Sequence, residues 1–468
     1  LGDAEQGTVN LQAALEYPYT WYAYLSLVDL IDYGVEVDEL TRGIIDYYAG
    51  QHNVAIAAFT RYYQTMPPEH PDSIHYFYGL SLRATDEYWA AIAEWDELIN
   101  THPQGNYYDD AYEQKAYTLW AYLDEYQPAI DTLIEFVDNN SLHPRAAEFL
   151  YDAGRVAERN NNLALAADYW LRLQNEYPGS SYAYDAAFNA GIVSYRSGDT
   201  ATALNAFQAA IELGQNNEQI TAGQFWIGKT YIALGDTENA NTYLLQAANL
   251  DPTGYYSERA RDLLEFNQPF TSPATFNWNA SVEASKPAAD SWVRLTFGLP
   301  NTLDLNGSGS LAANQQFIRG NILWRLGFYE EARLEFEDLR FSILDDPEAN
   351  YRLSYHLYDI GLYRSAIFCA RRVLDIALLS DAETLHAPDY FNFIRFGLYY
   401  PDLVKDNVVI YNLDPLTFYS MMRQESLFEG FVSSSAGARG LMQIMPATGE
   451  GVATRLGWPL NYGSDDLY

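Results

Sequence analysis

The sequence predicts an all-α protein, because small and large apolar residues recur at intervals that suit pairs of packed helices. Alanines recur 36 to 38 residues apart at Ala55, Ala91, Ala129, Ala166, Ala203 and Ala240. A second small residue precedes five of them by twelve or thirteen positions, at Gly79, Ala116, Gly154, Gly191 and Gly228. A large apolar residue follows each alanine after four positions, at Phe59, Trp95, Leu133, Trp170, Phe207 and Leu244. Two antiparallel helices approach closely where each carries a small residue, and the large residue fills the adjoining space.

This spacing resembles the tetratricopeptide repeat, with a few additional residues per unit that we place in turns. The resemblance implies that residues 1–266 form an array of stacked helix pairs, a superhelix with a concave face. Such a face binds a protein partner in some proteins and only braces a neighbouring domain in others. The sequence leaves both roles open.

The repeat pattern is interrupted over residues 267–315, which we predict to be an irregular connector with little helix. This stretch carries Pro269, Pro273, Pro287, Pro300, a Gly307-Ser308-Gly309 run and an alternating piece from Trp292 to Phe297. The pattern restarts at Gly320 and Ala332, so we predict a second, shorter array over residues 316–400. Cys369, the only cysteine, lies in this array and is predicted to be a core residue. Residues 401–468 remain as a separate domain.

The candidate catalytic residues lie in this last domain. Asp414 and Pro415 are typical of a helix N-cap and a first-turn proline, and the helix continues to Leu427. Glu425 lies in this helix and shares a face with three apolar residues, Phe418, Met421 and Met422. We expect these neighbours to desolvate the carboxyl group and raise its pKa, as a general acid near neutral pH requires. The alternative is an ordinary solvated charge, as expected for most of the 63 acidic residues.

A second polar segment follows this helix, which we expect to end at Gly430. Ser433 to Ser435 form a hydroxyl-rich loop, and Gly437 to Gly440 form a tight turn. We predict that Leu441 to Met445 form one helical turn that Pro446 stops. Gln443 then presents an amide that suits sugar hydroxyl and N-acetyl groups, or else is a buried structural amide.

Two motifs in this domain resemble the soluble, lysozyme-like lytic transglycosylases. Glu425-Ser426 resembles their catalytic Glu-Ser pair, and the Gly-Leu-Met-Gln-Ile-Met-Pro run that starts at Gly440 resembles their second motif. The resemblance implies the N-terminal part of an α-helical lysozyme-like domain, with Glu425 acting first as acid and then as base. It also implies five substrate-binding residues: Ser426, Ser434, Met442, Gln443 and Met445.

The reaction is inferred from the number of carboxyl groups. An ordinary glycosidase uses two, whereas the loop from Phe431 to Arg439 contains no acid and Glu429, at the predicted helix end, is assigned to solvent. One carboxyl favours a reaction in which the substrate supplies the nucleophile. The resemblance names it: cleavage of the β-1,4 bond between N-acetylmuramic acid and N-acetylglucosamine in peptidoglycan, by attack of the muramic acid 6-hydroxyl. No metal or cofactor is expected.

Two alternatives remain open at this point. Goose-type lysozymes share the fold and the glutamate, so a peptidoglycan hydrolase is the nearer one. The farther one is a non-catalytic repeat scaffold that binds wall fragments or a protein partner.

The composition and the chain ends add further expectations. A formal charge of −36 argues against a nucleic acid partner. Leu1 is not an initiator methionine, so we expect a missing N-terminal segment that exports the protein to the cell envelope and provides any membrane association. The family's later Ala-Tyr-Asn-Ala-Gly segment does not occur before Tyr468. We therefore expect it downstream and expect this polypeptide alone to be inactive.

Overall fold

The computed structural model describes residues 4–269 and 276–468, which form helices, turns and isolated β-bridges without a named strand. The prediction of an all-α fold is confirmed. The chain divides into two compact units, Leu1–Glu265 and Phe266–Tyr468. No helix in the described part of the chain has the length and hydrophobicity of a membrane span.

The first unit consists of helices joined by short turns. In chain order they are α1 Ala4–Ala14, α2 Trp21–Asp32, α3 Glu39–Tyr48, α4 His52–Thr65, α5 Ser73–Ala84, α6 Tyr88–Thr101, α7 Tyr108–Tyr122, α8 Tyr126–Asn139, α9 Ala146–Arg159, α10 Leu163–Glu176, α11 Ala183–Ser197, α12 Thr200–Leu213, α13 Asn217–Leu234, α14 Thr237–Leu250 and α15 Tyr255–Leu264. From α3 to α14 successive helices pair with one another, and each repeat of the sequence pattern corresponds to one pair.

The residues of the repeat pattern form the core of these pairs. All six alanines and all six of the large apolar residues are buried. A Cβ atom added at Gly191 of α11 would lie 2.5 Å from the Phe207 ring of α12. The small residue on the first helix therefore faces the large residue on the second. Gly43, which precedes Ala55 by twelve positions, faces Phe59 in the same way. The series of small residues therefore begins at Gly43 and not at Gly79.

Replacing Gly191 by alanine is expected to lower the free energy of unfolding by about 1–2 kcal/mol. Overpacking a core costs about 1–3 kcal/mol, and the higher helix propensity of alanine returns up to about 1 kcal/mol. The Phe207 ring is fully buried and packs against Phe188 and Trp226, which limits its ability to shift. Urea unfolding followed by circular dichroism measures the effect.

Gly179→Ala is the matched control, since an added Cβ atom at this turn position meets no atom within 4 Å. We expect its unfolding midpoint to equal or exceed that of the wild type. If Gly191→Ala were as stable as Gly179→Ala, the close approach of α11 and α12 would not require a glycine.

The second unit contains shorter and more varied helices. In chain order they are α16 Val282–Phe297, α17 Gln315–Arg325, α18 Tyr329–Ser342, α19 Pro347–Ile360, α20 Tyr363–Ile376, α21 Asp381–Thr384, α22 Asp389–Arg395, α23 Pro401–Ile410, α24 Pro415–Ser426 and α25 Pro446–Leu456, with 3₁₀ turns at Gly309–Ala313 and Ser464–Leu467. The pairs α17/α18 and α19/α20 correspond to the predicted second array, and Cys369 of α20 is buried as predicted.

The prediction of an irregular connector is wrong over α16, which is a helix of 16 residues. Its Val282, Ala289 and Val293 are buried at helical spacing, and this packing outweighs the loss of one backbone hydrogen bond at Pro287. The alternating piece that ends at Phe297 therefore belongs to a helix. Pro273, another of the prolines behind the prediction, lies outside the described residues.

The connector, the second array and the C-terminal segment share one hydrophobic core. Val293, Leu353, Tyr390, Met422 and Phe428 all belong to this core. Polar contacts reinforce it, since the guanidinium group of Arg352 on α19 donates hydrogen bonds to three connector carbonyls, those of Asp304, Asn306 and Gly307. The helices that position the candidate site are therefore packed directly on the second repeat array.

Candidate active site

Helix α24 begins as the sequence predicts. The Asp414 carboxylate accepts hydrogen bonds from the backbone N–H groups of Leu416 at 3.3 Å and Thr417 at 3.1 Å, and Pro415 is the first helical residue. These contacts satisfy amide donors that a helix start otherwise leaves unpaired. The N-cap therefore fixes where α24 starts.

Glu425 lies in the last turn of α24 and is exposed to solvent. The expectation that apolar neighbours would partly desolvate it is wrong, because α24 packs on the core through Tyr419, Met422 and Ser426. The neighbouring face of α24, which carries Met421 and Glu425, is turned towards solvent. Met421 is 51% exposed. Within the described residues the Glu425 carboxylate has neither a hydrogen-bond donor nor an ion-pair partner. It is accessible to an incoming ligand.

Ser426 occupies the opposite environment from its neighbour Glu425. It is buried, and its Oγ donates a hydrogen bond to the Met422 carbonyl at 3.1 Å within the same helix. Its position does not support the predicted direct contact with substrate. The small hydroxyl instead lets α24 pack closely against the core.

The helix ends at Ser426, four residues before the predicted end at Gly430. Leu427 and Phe428 both have left-handed backbone dihedrals, with φ of 51° and 64°. This reversal buries the Phe428 side chain, and the Tyr400 hydroxyl donates to the Phe428 carbonyl at 3.1 Å. Because of this reversal, Glu429 does not lie on the helical face that carries Glu425.

Glu429 is buried, so its assignment to solvent is wrong. It is 1% exposed, and its carboxylate oxygens lie 3.8 Å from Arg333 of α18 and 3.6 Å from Arg364 of α20. The two left-handed residues before it direct the side chain towards the repeat helices. Since Glu429 faces these arginines rather than solvent, its carboxylate is not exposed beside that of Glu425. Local spacing could not reveal arginines more than 60 residues away.

Burial raises the pKa of Glu429 from its ordinary value of 4.5 to about 7, although the charges of Arg364 and Arg333 lower it in part. Neither carboxylate oxygen receives a hydrogen bond from a described residue, so nothing else stabilises the ionised form. The native protein therefore binds a proton at Glu429 between about pH 4.5 and 7, where the unfolded chain does not.

Because the folded-state pKa is the higher one, the stability that this group contributes falls as the pH rises through this interval. Glu429→Gln keeps the neutral shape at every pH. We expect the free energy of unfolding of this variant, relative to the wild type, to rise by about 1–3 kcal/mol between pH 4.5 and 8. Urea unfolding at a series of pH values measures the difference.

The matched control is Glu450→Gln, at an exposed position of α25. Its stability should follow that of the wild type at every pH. A constant difference between Glu429→Gln and the wild type across the interval would contradict the shifted pKa.

The second motif is not the predicted helical turn. Arg439 and Ile444 exchange two backbone hydrogen bonds of 3.0 Å, and Arg439 also bridges Ser433. Gly440 and Gln443 have φ of 73° and 46°, which interrupt a right-handed helix. Residues 440–443 therefore form a turn. Pro446 starts α25 instead of stopping a helix, in agreement with the preference for proline at the first helical position.

Gln443 joins this turn to the loop before it. Its Nε2 donates to the carbonyls of Gly440 at 2.9 Å and Val432 at 3.3 Å, while no described residue donates to its amide oxygen. The side chain of Gln443 therefore combines the two predicted roles, a structural amide and a ligand-binding amide, on different atoms. The nitrogen is structural, and the oxygen remains available to a ligand.

The remaining predicted residues differ in exposure. Ser434 is exposed, and its Oγ accepts a hydrogen bond from the Ala438 N–H at 3.1 Å. Met445 is 44% exposed, whereas Met442 is partly buried against the core. The backbone bridges thus bring the loop of Ser434 and the turn of Gln443 together. Ser434 and Met445 face solvent and Met442 supports the turn.

Residues near Tyr468 cover the second motif, which the sequence did not indicate. The Arg439 guanidinium donates hydrogen bonds to Asp465 at 2.6 Å and Ser464 at 3.0 Å. It also lies over the Tyr468 ring, 5.3 Å from the ring centroid. A Cβ atom added at Gly440 would overlap the carbonyl oxygen of Leu467. Gly440 is therefore required both by its dihedral angle and by this close backbone contact.

Models of two kinds of protein family match the chain, one at its C-terminal end and the other in the repeat array. The model of the transglycosylase SLT domain matches residues 402–468, and tetratricopeptide repeat models match residues 121–181 and 223–253. The chain combines tetratricopeptide repeats with a C-terminal SLT domain. The predicted resemblance is thereby confirmed, and an SLT domain indicates a transglycosylase-type activity on peptidoglycan.

Two of the solved structures that are similar to the chain are described as tetratricopeptide repeat proteins. The C-terminal part of a tetratricopeptide protein from Cytophaga hutchinsonii is 13% identical with a TM-score of 0.41, and the match covers 54% of this chain and 98% of that one. YrrB, described as a tetratricopeptide protein with an unusual peptide-binding site, is 19% identical with a TM-score of 0.30, covering 44% and 99%. No curated protein sequence matches this chain significantly.

Proposed function

We propose that the SLT domain cleaves the β-1,4 bond between N-acetylmuramic acid and N-acetylglucosamine and leaves 1,6-anhydromuramic acid ends. This proposal rests on the different environments of the two acidic residues between Pro415 and Pro446. Glu429 is buried against arginines, whereas Glu425 is exposed and has no partner in the described structure. A single available carboxyl group suits a reaction whose nucleophile belongs to the substrate.

In the proposed reaction Glu425 acts twice. Its carboxyl group first donates a proton to the glycosidic oxygen as the bond from that oxygen to the muramic acid C1 breaks. The carboxylate then accepts the proton of the muramic acid 6-hydroxyl while the hydroxyl oxygen bonds to the same C1. The acid is regenerated and no water is consumed.

The second motif supplies the proposed saccharide contacts. We propose that the exposed Ser434, the amide oxygen of Gln443 and the exposed side chain of Met445 contact a glycan strand that is bound at Glu425. Ser426 and Met442 support this surface from the core side. The reaction as proposed requires neither a metal ion nor a cofactor.

Two further parts of the proposal concern location and partners. Peptidoglycan lies outside the cytoplasm, so we place the protein in the cell envelope and assign it to cell-wall turnover. The tetratricopeptide array is proposed to hold a protein partner or to shape the approach of the glycan strand. The formal charge of −36 does not favour nucleic acid.

Product analysis tests the reaction. Purified peptidoglycan is digested with the full-length protein, and the released fragments are measured by mass spectrometry. Anhydro ends support the proposal. Reducing ends, which are one water heavier, would assign the protein to the hydrolases instead, and intact glycan strands would assign it to the non-catalytic scaffolds.

A further inference from the structure

Three histidines of the first unit converge at the ends of helices α4 to α6. His70 lies in the loop before α5, His75 in the first turn of α5, and His102 caps the end of α6. One ring nitrogen of each lies within 4.8 Å of those of the other two. His75 is 1% exposed and the other two are partly buried. This cluster has no part in the proposed reaction.

The hydrogen bonds determine where the protons of the first two rings lie. The His70 Nδ1 is 3.1 Å from the Pro67 carbonyl oxygen, which can only accept. The His75 Nδ1 is 2.9 Å from the Glu94 carboxylate, which also accepts, and 2.8 Å from the Tyr63 hydroxyl oxygen, whose own hydrogen is donated to Glu94. Each Nδ1 therefore carries a hydrogen, and a neutral imidazole carries only one. When both rings are neutral, both Nε2 atoms therefore present lone pairs, and they lie 3.0 Å apart.

Two lone pairs at this distance repel unless a cation, either a shared proton or a metal ion, lies between or beside them. The surroundings match those of metal-binding histidines, whose second ring nitrogen usually donates to a carboxylate or a backbone carbonyl. His75 and His70 show one of each arrangement. The Tyr63 hydroxyl donates to Glu94 and so holds the carboxylate in place.

His102 supplies the third imidazole. Its Nε2 is 2.9 Å from the His70 carbonyl oxygen, and its ring centroid is 4.9 Å from that of His70. Binding a metal ion through Nε2 requires this nitrogen to exchange its hydrogen bond for the ion. The ring is partly exposed at the end of α6, so the exchange involves no rearrangement of the core.

We propose that His70, His75 and His102 bind one divalent transition-metal ion, of which zinc is the best match. Three neutral imidazoles form a donor set that zinc accepts, with a fourth position left for water. The ion would fasten the loop at His70 to the start of α5 and the end of α6, and so stabilise the junction between the first two repeats.

Zinc titration tests this site. The chain is prepared without a histidine tag, freed of metal with a chelator and titrated with zinc chloride by calorimetry. We expect one zinc ion per chain and a thermal unfolding midpoint that rises with zinc concentration. Cobalt substituted for zinc should show the visible absorption of a tetrahedral site.

His70→Gln and His102→Gln are each expected to weaken zinc binding at least tenfold, because each removes one ligand. Both side chains are partly exposed, so these variants are preferred to replacement of the buried His75, and circular dichroism verifies their fold. The matched control is His143→Gln, in the turn after α8 of the next repeat, which should bind zinc as the wild type does. Absence of stoichiometric binding at micromolar zinc, or wild-type affinity in both cluster variants, would overturn the proposal.

Discussion

Glu425→Gln is expected to reduce turnover of peptidoglycan by a factor of about 10²–10⁴, the usual contribution of a general acid and base. Glutamine has nearly the same shape but can neither donate the required proton nor accept one. Because Glu425 is exposed and unpaired in the described structure, its replacement should change stability by no more than about 0.5 kcal/mol. The measurement is the rate at which the intact protein releases soluble fragments from purified peptidoglycan.

Glu450→Gln serves as the control for this experiment. It removes an exposed carboxylate from α25 in the same domain, and we expect wild-type turnover. Ordinary turnover by Glu425→Gln would remove the central assignment, since no other acid between Pro415 and Pro446 is accessible. Loss of activity in both variants would point instead to a general effect of charge.

Gly440→Ala is expected to have the largest effect on stability, a loss of roughly 2–5 kcal/mol from two separate causes. The left-handed dihedral costs a residue with a Cβ atom about 1–2 kcal/mol. The overlap with the Leu467 carbonyl oxygen adds about 1–3 kcal/mol, because a backbone atom cannot move aside as a flexible side chain can. We expect the unfolding midpoint of the second unit to fall and activity to fall with it.

Gly437→Ala separates these two causes. Gly437 has a φ of 87°, but an added Cβ atom there meets no atom within 4 Å. It should therefore show only the cost of the dihedral, while Gly440→Ala shows that cost and the overlap. Equal losses in the two variants would mean that the contact between Gly440 and Leu467 does not form in solution.

The sequence predicted the features that depend on local periodicity. The buried alanines and the large residues four positions later lie where the pattern placed them, because each helix pair repeats one local packing arrangement. The N-cap at Asp414 was equally local and is confirmed. Helix α16 was missed because Pro287 inside it and an alternating end concealed a buried face that only tertiary packing selects.

The environment of the candidate site depended on contacts that are distant in sequence. Glu425 was predicted to be partly desolvated and Glu429 to be exposed, whereas in the structure Glu425 is exposed and Glu429 is buried. Helical spacing showed that Glu425 has apolar neighbours but not which face of α24 packs on the core. The environment of the Glu429 side chain depends on the two left-handed residues before it and on arginines from α18 and α20. The turn at Gly440 likewise depends on dihedral angles that the motif does not specify.

The burial of Glu429 limits how the SLT domain can be transplanted. A fragment cut at residue 401 would leave Arg333 and Arg364 behind, and the carboxylate would lose both of its counter-charges. It would also separate Tyr419 from Phe276 and Trp278, its aromatic neighbours in the intact unit. A chimaera that moves this domain to another scaffold must therefore carry α18 and α20 with it, so the smallest exchangeable module is larger than the family match.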